Sequence, residues 1–206
     1  YSLTNPSLYV DVNIVATTKL LDRAVAYKIK NFVYASSSSV YGNNTKVPFS
    51  ETDPVDTPIS PYAATKKADE LIAHVYSHIY KLPTTGLRFF TVYGPWGRPD
   101  MGVFKFIENI IREKTIEVYN HGNMRRNFTY IDDIVAGVLT TLDADLSYAV
   151  MNIGGDRDEA LLDYIALVEK HTGKKSKQKM MPMQPGDVPS TVADIRQLRK
   201  LGWKPT

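Results

Sequence analysis

The stretch from Phe32 to Lys67 constrains this chain more than any other. It opens with Phe32-Val33-Tyr34-Ala35, a short apolar run rich in β-formers, and stops abruptly in the serines Ser36, Ser37, Ser38 and Ser39. Too short for a helix, the run reads as a buried strand emptying into a loop of hydroxyls. In open parallel α/β sheets the carboxyl ends of strands are where ligands bind. Further on, Ser60-Pro61 marks a helix start, since proline is favoured at the first helical position, and the pattern carries that helix to about Tyr80. Tyr62 and Lys66 then share one face of its opening turns. An ammonium beside a phenol favours the phenolate, which suits a general base, and a nearby serine hydroxyl can relay or anchor the same proton.

At 206 residues the chain can bury one good core or two small ones. Its 43% hydrophobic and 23% charged residues argue against disorder. No apolar run approaches the length of a membrane span, no signal peptide is evident, and the lack of cysteine fits a reducing compartment, so a cytoplasmic protein without membrane contact is expected. The net charge of +3 is small, and the densest basic stretch, Lys174 to Lys179, interleaves Ser176 and Gln178 as a solvated loop would; no nucleic-acid surface is expected. His74, His78, His121 and His171 are scattered, which predicts no metal site.

In chain order, Asn5-Pro6 opens one long amphipathic helix to about Ile29, with Leu8, Val12, Val15, Leu20, Leu21 and Val25 as its apolar stripe and Asn13 as a polar group that could approach a cofactor or face an interface. After the tyrosine helix come a strand over 84–90 that ends in Thr91-Val92-Tyr93-Gly94-Pro95, a helix over 101–114 and a strand over 116–119. A turn at 121–123, a strand over 127–131, a helix N-capped by Asp132 to about Leu142 and a strand over 149–153 follow. The tail reads as a helix over 160–171, a strand over 178–181, a loop over 184–187 and a helix over 195–201. Strands alternating with helices argue an α/β fold with a mostly parallel sheet.

The order strand, serine, tyrosine, lysine resembles the short-chain dehydrogenase/reductase superfamily, and Ser-Ser-Ser-x-Val-Tyr-Gly with Ser-Pro-Tyr-x-x-x-Lys is similar to its extended branch of nucleotide-sugar enzymes. The resemblance runs over essentially the whole chain. It implies a Rossmann-like sheet with a smaller substrate-binding domain: residues 1–95 and 127–155 in the dinucleotide-binding part, 96–126 and 156–206 in the sugar-nucleotide part. The glycine-rich turn such proteins use for the dinucleotide phosphates is nowhere in these residues, which by resemblance places the first strand-helix units outside this chain.

Within that branch, relatives that eliminate water or CO₂ carry an acidic residue just before Val-Tyr-Gly, where this chain has Ser38 and Ser39. Without that proton donor an epimerase is favoured. The run Arg88 to Met101 with Ala63-Ala64-Thr65-Lys66-Lys67 is similar to UDP-glucuronate 4-epimerases at nearly every position. Carried over, Tyr62 is the proton acceptor, Lys66 the holder of the nicotinamide ribose of NAD, and Ser37, 25 residues before Tyr62, the catalytic serine, with Ser38 as the alternative. Ala35, Ser36, Phe90 and Val92 would border the cofactor, and Ser38 and Thr91 the sugar. Arg126 would bind the diphosphate of the UDP-sugar, Glu117, Val118 and Tyr119 the uracil, and Gln184 and Asp187 the ribose and phosphate. The plainer reading of Val118 and Tyr119 is a strand in the core. Arg98 would meet a glucuronate carboxylate, or else pair with Asp100. Asn127, where the family usually has aspartate, and Gly102-Val103, in place of an alanine-rich turn, depart from the pattern; Asn127 would remove a charge beside the phosphates. The alternatives are a UDP-glucose/galactose 4-epimerase, another sugar-nucleotide oxidoreductase, or a non-catalytic binding fragment. The resemblance also implies a homodimer, with the helices over 6–29 and 61–80 pairing with their copies.

Overall fold

Residues 1–184 and 187–206 are described by a computed structural model; Pro185 and Gly186 of the expected 184–187 loop lie outside the described residues. The strand that opens the organising stretch is β1 (Phe32–Ser37), and it carries two of the serines in extended conformation before the chain tightens into a short 3₁₀ turn at Ser38–Tyr41. Its partner is β2 (Thr84–Phe89), which also pairs with β7 (Tyr148–Ile153), giving a parallel sheet of order β1-β2-β7. The register sets Ser36 opposite Arg88, Ser37 opposite Phe89, and Arg88 opposite Asn152. Helix α3 (Pro61–Tyr80) spans the expected residues: Pro61 sits in its first turn and the Ser60 side chain accepts a hydrogen bond from the Ala63 amide at 3.1 Å, relieving one of the unpaired N–H groups of the first turn.

Two apolar clusters cover the faces of this sheet. Leu87, Ile153, Met151, Phe49, Phe90, Leu198 and Trp203 pack on one side, and Leu21, Ala24, Tyr34, Ala73 and Leu82 on the other. Each large side chain buried this way contributes roughly 1.5–3 kcal/mol of transfer free energy. The expected N-terminal helix is continuous from Pro6 to Ala26 but carries a π-helical segment and ends short of Ile29. The chain forms α1 (Pro6–Tyr9), a π-helical segment (Val10–Val15) and α2 (Ala16–Ala26), and it stops at Lys28, whose φ of 52° takes it into the left-handed region. Leu21 and Ala24 are buried, Val25 packs beside them, and Leu8, Val12, Val15 and Leu20 stay exposed.

Beyond the sheet the chain leaves it at Phe90. Thr91–Tyr93 (β3) pairs in parallel with β6 (Phe128–Tyr130), so the expected extension of β2 is a separate two-stranded ladder. Helix α4 (Gly102–Ile111) and strand β4 (Thr115–Val118) follow, then a turn at Tyr119–Gly122, then β5 (Arg125–Arg126). Helix α5 (Ile131–Leu142) starts without a side-chain cap; Asp132 lies in its first turn instead of capping it. After β7 come β8 (Glu159–Ala160), α6 (Leu161–Thr172), β9 (Lys177–Met180), β10 (Ser190–Thr191) and α7 (Arg196–Lys200). β4 pairs with β9 in parallel, and Ile110, Ile116, Val118, Ile165 and Val168 form its core with α4 and α6. Among the described strands only the β5–β8 pair is antiparallel. The fold is the expected α/β class, divided among small sheets.

Candidate active site

The carboxyl ends of β1 and β2, the start of α3 and the 187–191 segment border a cleft of about 600 Å³. Ser37, Ser38, Tyr62, Phe90, Thr91, Arg98, Arg126 and Asp187 line it together. The sheet register explains part of this, since parallel strands ending level bring Ser37 and Phe89 side by side. The cap at Ser60 explains the rest, because it fixes where α3 begins and so where Tyr62 emerges. Ser37 Oγ lies 3.1 Å from Ser39 Oγ and accepts a hydrogen bond from the Ser39 amide at 3.2 Å. Tyr9 of α1 meets the ring of Tyr62 edge to face, with centroids 6.0 Å apart.

A second cleft of about 780 Å³ is continuous with the first through Thr91, Met101, Arg126 and Asp187. Glu117, Tyr119 and Gln184 line it. Tyr119 donates to Glu117 Oε2 at 2.8 Å, and the neighbouring carboxylate holds its phenol above the ordinary value. Arg126 NH2 bonds Asp187 Oδ1 at 2.7 Å while its NH1 meets the Arg125 and Pro189 carbonyls, and burial lowers its pKa from the usual arginine value. A hollow of about 510 Å³ elsewhere, beside Tyr130, Asp133 and Tyr164, contains none of the expected site residues.

Several expected residues face away from the clefts. Val118 is fully buried in the β4 core, so only its backbone is available to a ligand; this is the plainer of its two readings, and it follows from strand alternation, which turns Ile116 and Val118 inward and Glu117 outward. Val92 packs against the main core. Ala35 is exposed on β1. Ser36 is buried and donates its hydroxyl to Glu70 Oε1 at 2.7 Å. Asn127, the next residue of the extended chain after Arg126, points the opposite way, is fully buried, and donates to the carbonyls of Gly155 and Arg157. Arg98 is paired to Asp100 at 3.0 and 2.6 Å with its side chain 70% exposed at the cleft mouth.

Behind the cleft runs a buried polar network whose pairings no spacing rule reveals. Glu70 takes Arg88 through two hydrogen bonds at 2.8 and 2.9 Å, and Arg88 NH1 reaches the hydroxyl of Tyr41 at 2.9 Å. Tyr41 in turn donates to Asn152 Oδ1 at 2.8 Å. Burial pushes the Tyr41 phenol up to about 12 against the pull of Arg88, so it stays protonated and serves as a fixed donor. Glu70 sits eight residues after Tyr62 on α3, and Ser36 adjoins Ser37 on β1. Through the Glu70–Ser36 bond the network therefore ties the helix of one candidate catalytic residue to the strand of the other.

Lys66 Nζ lies 2.7 Å from Asp69 Oδ2 with its side chain 13% exposed. An ammonium has three donors, so two remain for ribose hydroxyls. Among the described residues there is no cluster of metal-ligating side chains, and no helix is long and apolar enough to cross a membrane.

Comparison with known proteins bears on this geometry. A family model described as the NAD dependent epimerase/dehydratase family matches residues 1–154. The whole chain is 52% identical over 206 residues to an uncharacterized protein of Methanocaldococcus jannaschii, covering 63% of that protein. It is 45% identical over 226 residues to a probable UDP-glucuronate 4-epimerase of Rhizobium meliloti, covering 66% of it. Among solved structures, the UDP-glucuronic acid 4-epimerase of Bacillus cereus in complex with UDP-glucuronic acid and NAD superimposes with a TM-score of 0.90 at 36% identity, over 96% of this chain and 63% of that one. The chain thus spans about two thirds of the length of these relatives.

Proposed function

Because this chain belongs to the NAD-dependent epimerase/dehydratase family, we propose that it forms part of an enzyme that inverts C4 of UDP-glucuronate to give UDP-galacturonate. The observation that carries the reading is the convergence of Tyr62 from α3 and Ser37 from β1 on one cleft that also contains Thr91 and two arginines. The donor set fits the nicotinamide ribose of NAD: Lys66 keeps free N–H groups in a mostly sheltered position, and Tyr62 stands one helical turn away. NAD, when bound, supplies reversible hydride acceptance at C4.

Tyr62 as phenolate takes the O4 proton and returns it after the 4-keto sugar has turned over. Ser37 hydrogen-bonds O4, its hydroxyl oriented by Ser39. Arg126, buried enough to favour an anionic partner and bonded through one nitrogen to Asp187, would hold the diphosphate, since a guanidinium can bind two phosphate oxygens at once. Glu117, Tyr119 and Gln184 would meet the uridine in the adjoining cleft. Thr91 would contact the sugar, with Phe90 as an apolar wall.

A second reading has its own support. Arg98 pairs with Asp100, so among the described residues both arginines lining the cleft already face a carboxylate, which suits a neutral hexose, as in a UDP-glucose 4-epimerase. Product analysis with UDP-glucuronate against UDP-glucose separates the two. For either substrate, Tyr62→Phe in the intact protein should lower turnover by about 10²- to 10⁴-fold, the usual range for general acid-base catalysis. Turnover near that of the unmodified enzyme removes Tyr62 from this role.

The assembly that best fits the surface is a homodimer. Leu71, Val75, Ile79 and Tyr80 on α3, and Leu8, Val12, Val15 and Leu20 on the N-terminal helices, are exposed, more apolar surface than a solvated helix pair carries. We place the division between dinucleotide and sugar-nucleotide parts near residue 95, where the chain leaves the main sheet, and the protein in the cytoplasm, where UDP-sugars and NAD are available.

A further inference from the structure

We propose that Tyr9 is a positioning residue that fixes the ring of Tyr62 in the cleft; the proposal rests on the reading of Tyr62 as the proton acceptor. Proton transfer needs the phenol oxygen within about 2.6–3.2 Å of the sugar hydroxyl, so the direction of this ring matters. Tyr62 is the second residue of α3, and among the described residues no side chain or backbone group hydrogen-bonds its hydroxyl. Packing alone holds the ring. The aromatic side chain that meets it is Tyr9, edge to face at 79° with centroids 6.0 Å apart, a favoured geometry for an aromatic pair.

The neighbours of Tyr9 make the contrast. Leu8 and Val10 on either side of it are exposed, whereas Tyr9 is half-buried and lines the cleft with Ser37, Tyr62, Thr91 and Arg98. One turn on, Asn13 donates to Thr65 Oγ1 at 2.8 Å, and Thr65 donates to the Tyr62 carbonyl at 2.8 Å. One turn further, Thr17 reaches toward the carboxylate of Asp69, which bonds Lys66 Nζ at 2.7 Å. Tyr9, Asn13 and Thr17 thus form a polar stripe laid along the start of α3, while Leu8, Val12, Val15 and Leu20 face outward. Asn13 lies inside the π-helical segment, a rare conformation found frequently at functional sites.

Tyr9 acts on the phenol ring and Asn13, through Thr65, on the backbone that carries it, so Tyr62 is held at two points. Without the Tyr9 ring, the Tyr62 side chain loses the wall on one side and gains access to further rotamers. A misplacement of roughly 1 Å in a reacting group costs up to about 10²-fold, so loss of the Tyr9 ring should lower kcat by about ten- to a hundredfold. The uridine end belongs to the adjoining cleft, which Tyr9 does not line. Binding is therefore spared, and kcat and kcat/KM should fall together.

The test separates ring from hydroxyl. In the intact protein Tyr9→Leu keeps an apolar side chain and removes the ring, and Tyr9→Phe keeps the ring and removes the hydroxyl. Steady-state kinetics with the UDP-sugar that the enzyme turns over should show the loss in Tyr9→Leu and near-full activity in Tyr9→Phe. Tyr9→Leu combined with Tyr62→Phe should be no slower than Tyr62→Phe alone, because Tyr9 acts through Tyr62. Unchanged turnover in Tyr9→Leu, equal losses in the Leu and Phe variants, a rise in KM at constant kcat, or additive losses in the double variant each overturn the proposal. Tyr9→Ala serves if Tyr9→Leu folds poorly, and failure of both to fold overturns it too, since a side chain that folding requires is not a brace for one ring. A crystal structure of the ringless variant reads the brace without turnover: the Tyr62 ring should be displaced or spread over more than one rotamer, and a ring left in place refutes the proposal. A displaced ring in an enzyme that turns over equally well with Tyr62→Phe upholds the brace and refutes the catalytic reading instead.

Discussion

Replacing Glu70 by Leu tests how much the network behind the cleft holds together. The Glu70 and Arg88 side chains are 2% and 3% exposed, so the substitution strands a guanidinium in the interior. Arg88 would lose its bonds from Nε and NH2 and keep the Tyr41 hydroxyl and the face of the Tyr41 ring, whose centroid lies 4.8 Å from the guanidinium carbon. Breaking a buried pair by removing one partner costs about 3–5 kcal/mol. That is a large share of the roughly 5–15 kcal/mol that stabilises a folded domain. With a urea slope of about 2 kcal/mol per molar, the unfolding midpoint of the intact protein should fall by about 1.5–2.5 M. Adding Arg88→Met should restore part of the loss, since removing both charges is far cheaper than removing one. The pH dependence supplies an independent check. Burial pushes the Glu70 carboxyl up, but Arg88 and Ser36 outweigh it and hold it below its ordinary 4.5. An acid depressed in the folded state contributes stability that is fully present above the ordinary value and is lost as pH falls through the folded one. The unmodified protein should therefore lose this contribution below about pH 4.5, and Glu70→Leu should lack that part of the acid slope. A midpoint change under about 0.5 M, or a double variant no more stable than the single one, would refute the reasoning.

Gly42, which lines the cleft, has φ of +57°, and a Cβ there would come within 2.5 Å of the Thr57 carbonyl oxygen. Gly42→Ala should thus destabilise the protein by at least about 1–2 kcal/mol in a urea titration, and a cost near zero would show that the backbone can shift away. Sedimentation equilibrium of the intact protein should report a dimer that Leu71→Asp with Ile79→Asp converts to monomer; a monomeric unmodified protein ends the assembly proposal.

What the sequence alone determined about this protein was local chemistry. A β-rich run ending in serines, and a Ser-Pro start with Tyr and Lys one turn apart, need only short-range rules to be read, and β1, the cap at Ser60 and the cleft position of Tyr62 follow from them. The apolar periods were long enough to mark the main strands and helices within a few residues. Only the tertiary structure decided the pairings, because those depend on which elements meet. Nothing in the spacing says that Ser36 would turn to Glu70 while Ser37 faces the cleft, that Asn127 would bond the carbonyls of Gly155 and Arg157, or that Asp69 would be buried against Lys66. The N-terminal helix shows the same limit from the other side: its stripe was legible, but only Leu21 and Val25 of it pack on the sheet while Leu8, Val12, Val15 and Leu20 stay exposed. Hydrogen bonding and burial between elements distant in sequence made these choices, and a side chain's neighbours there are set by the fold that surrounds it.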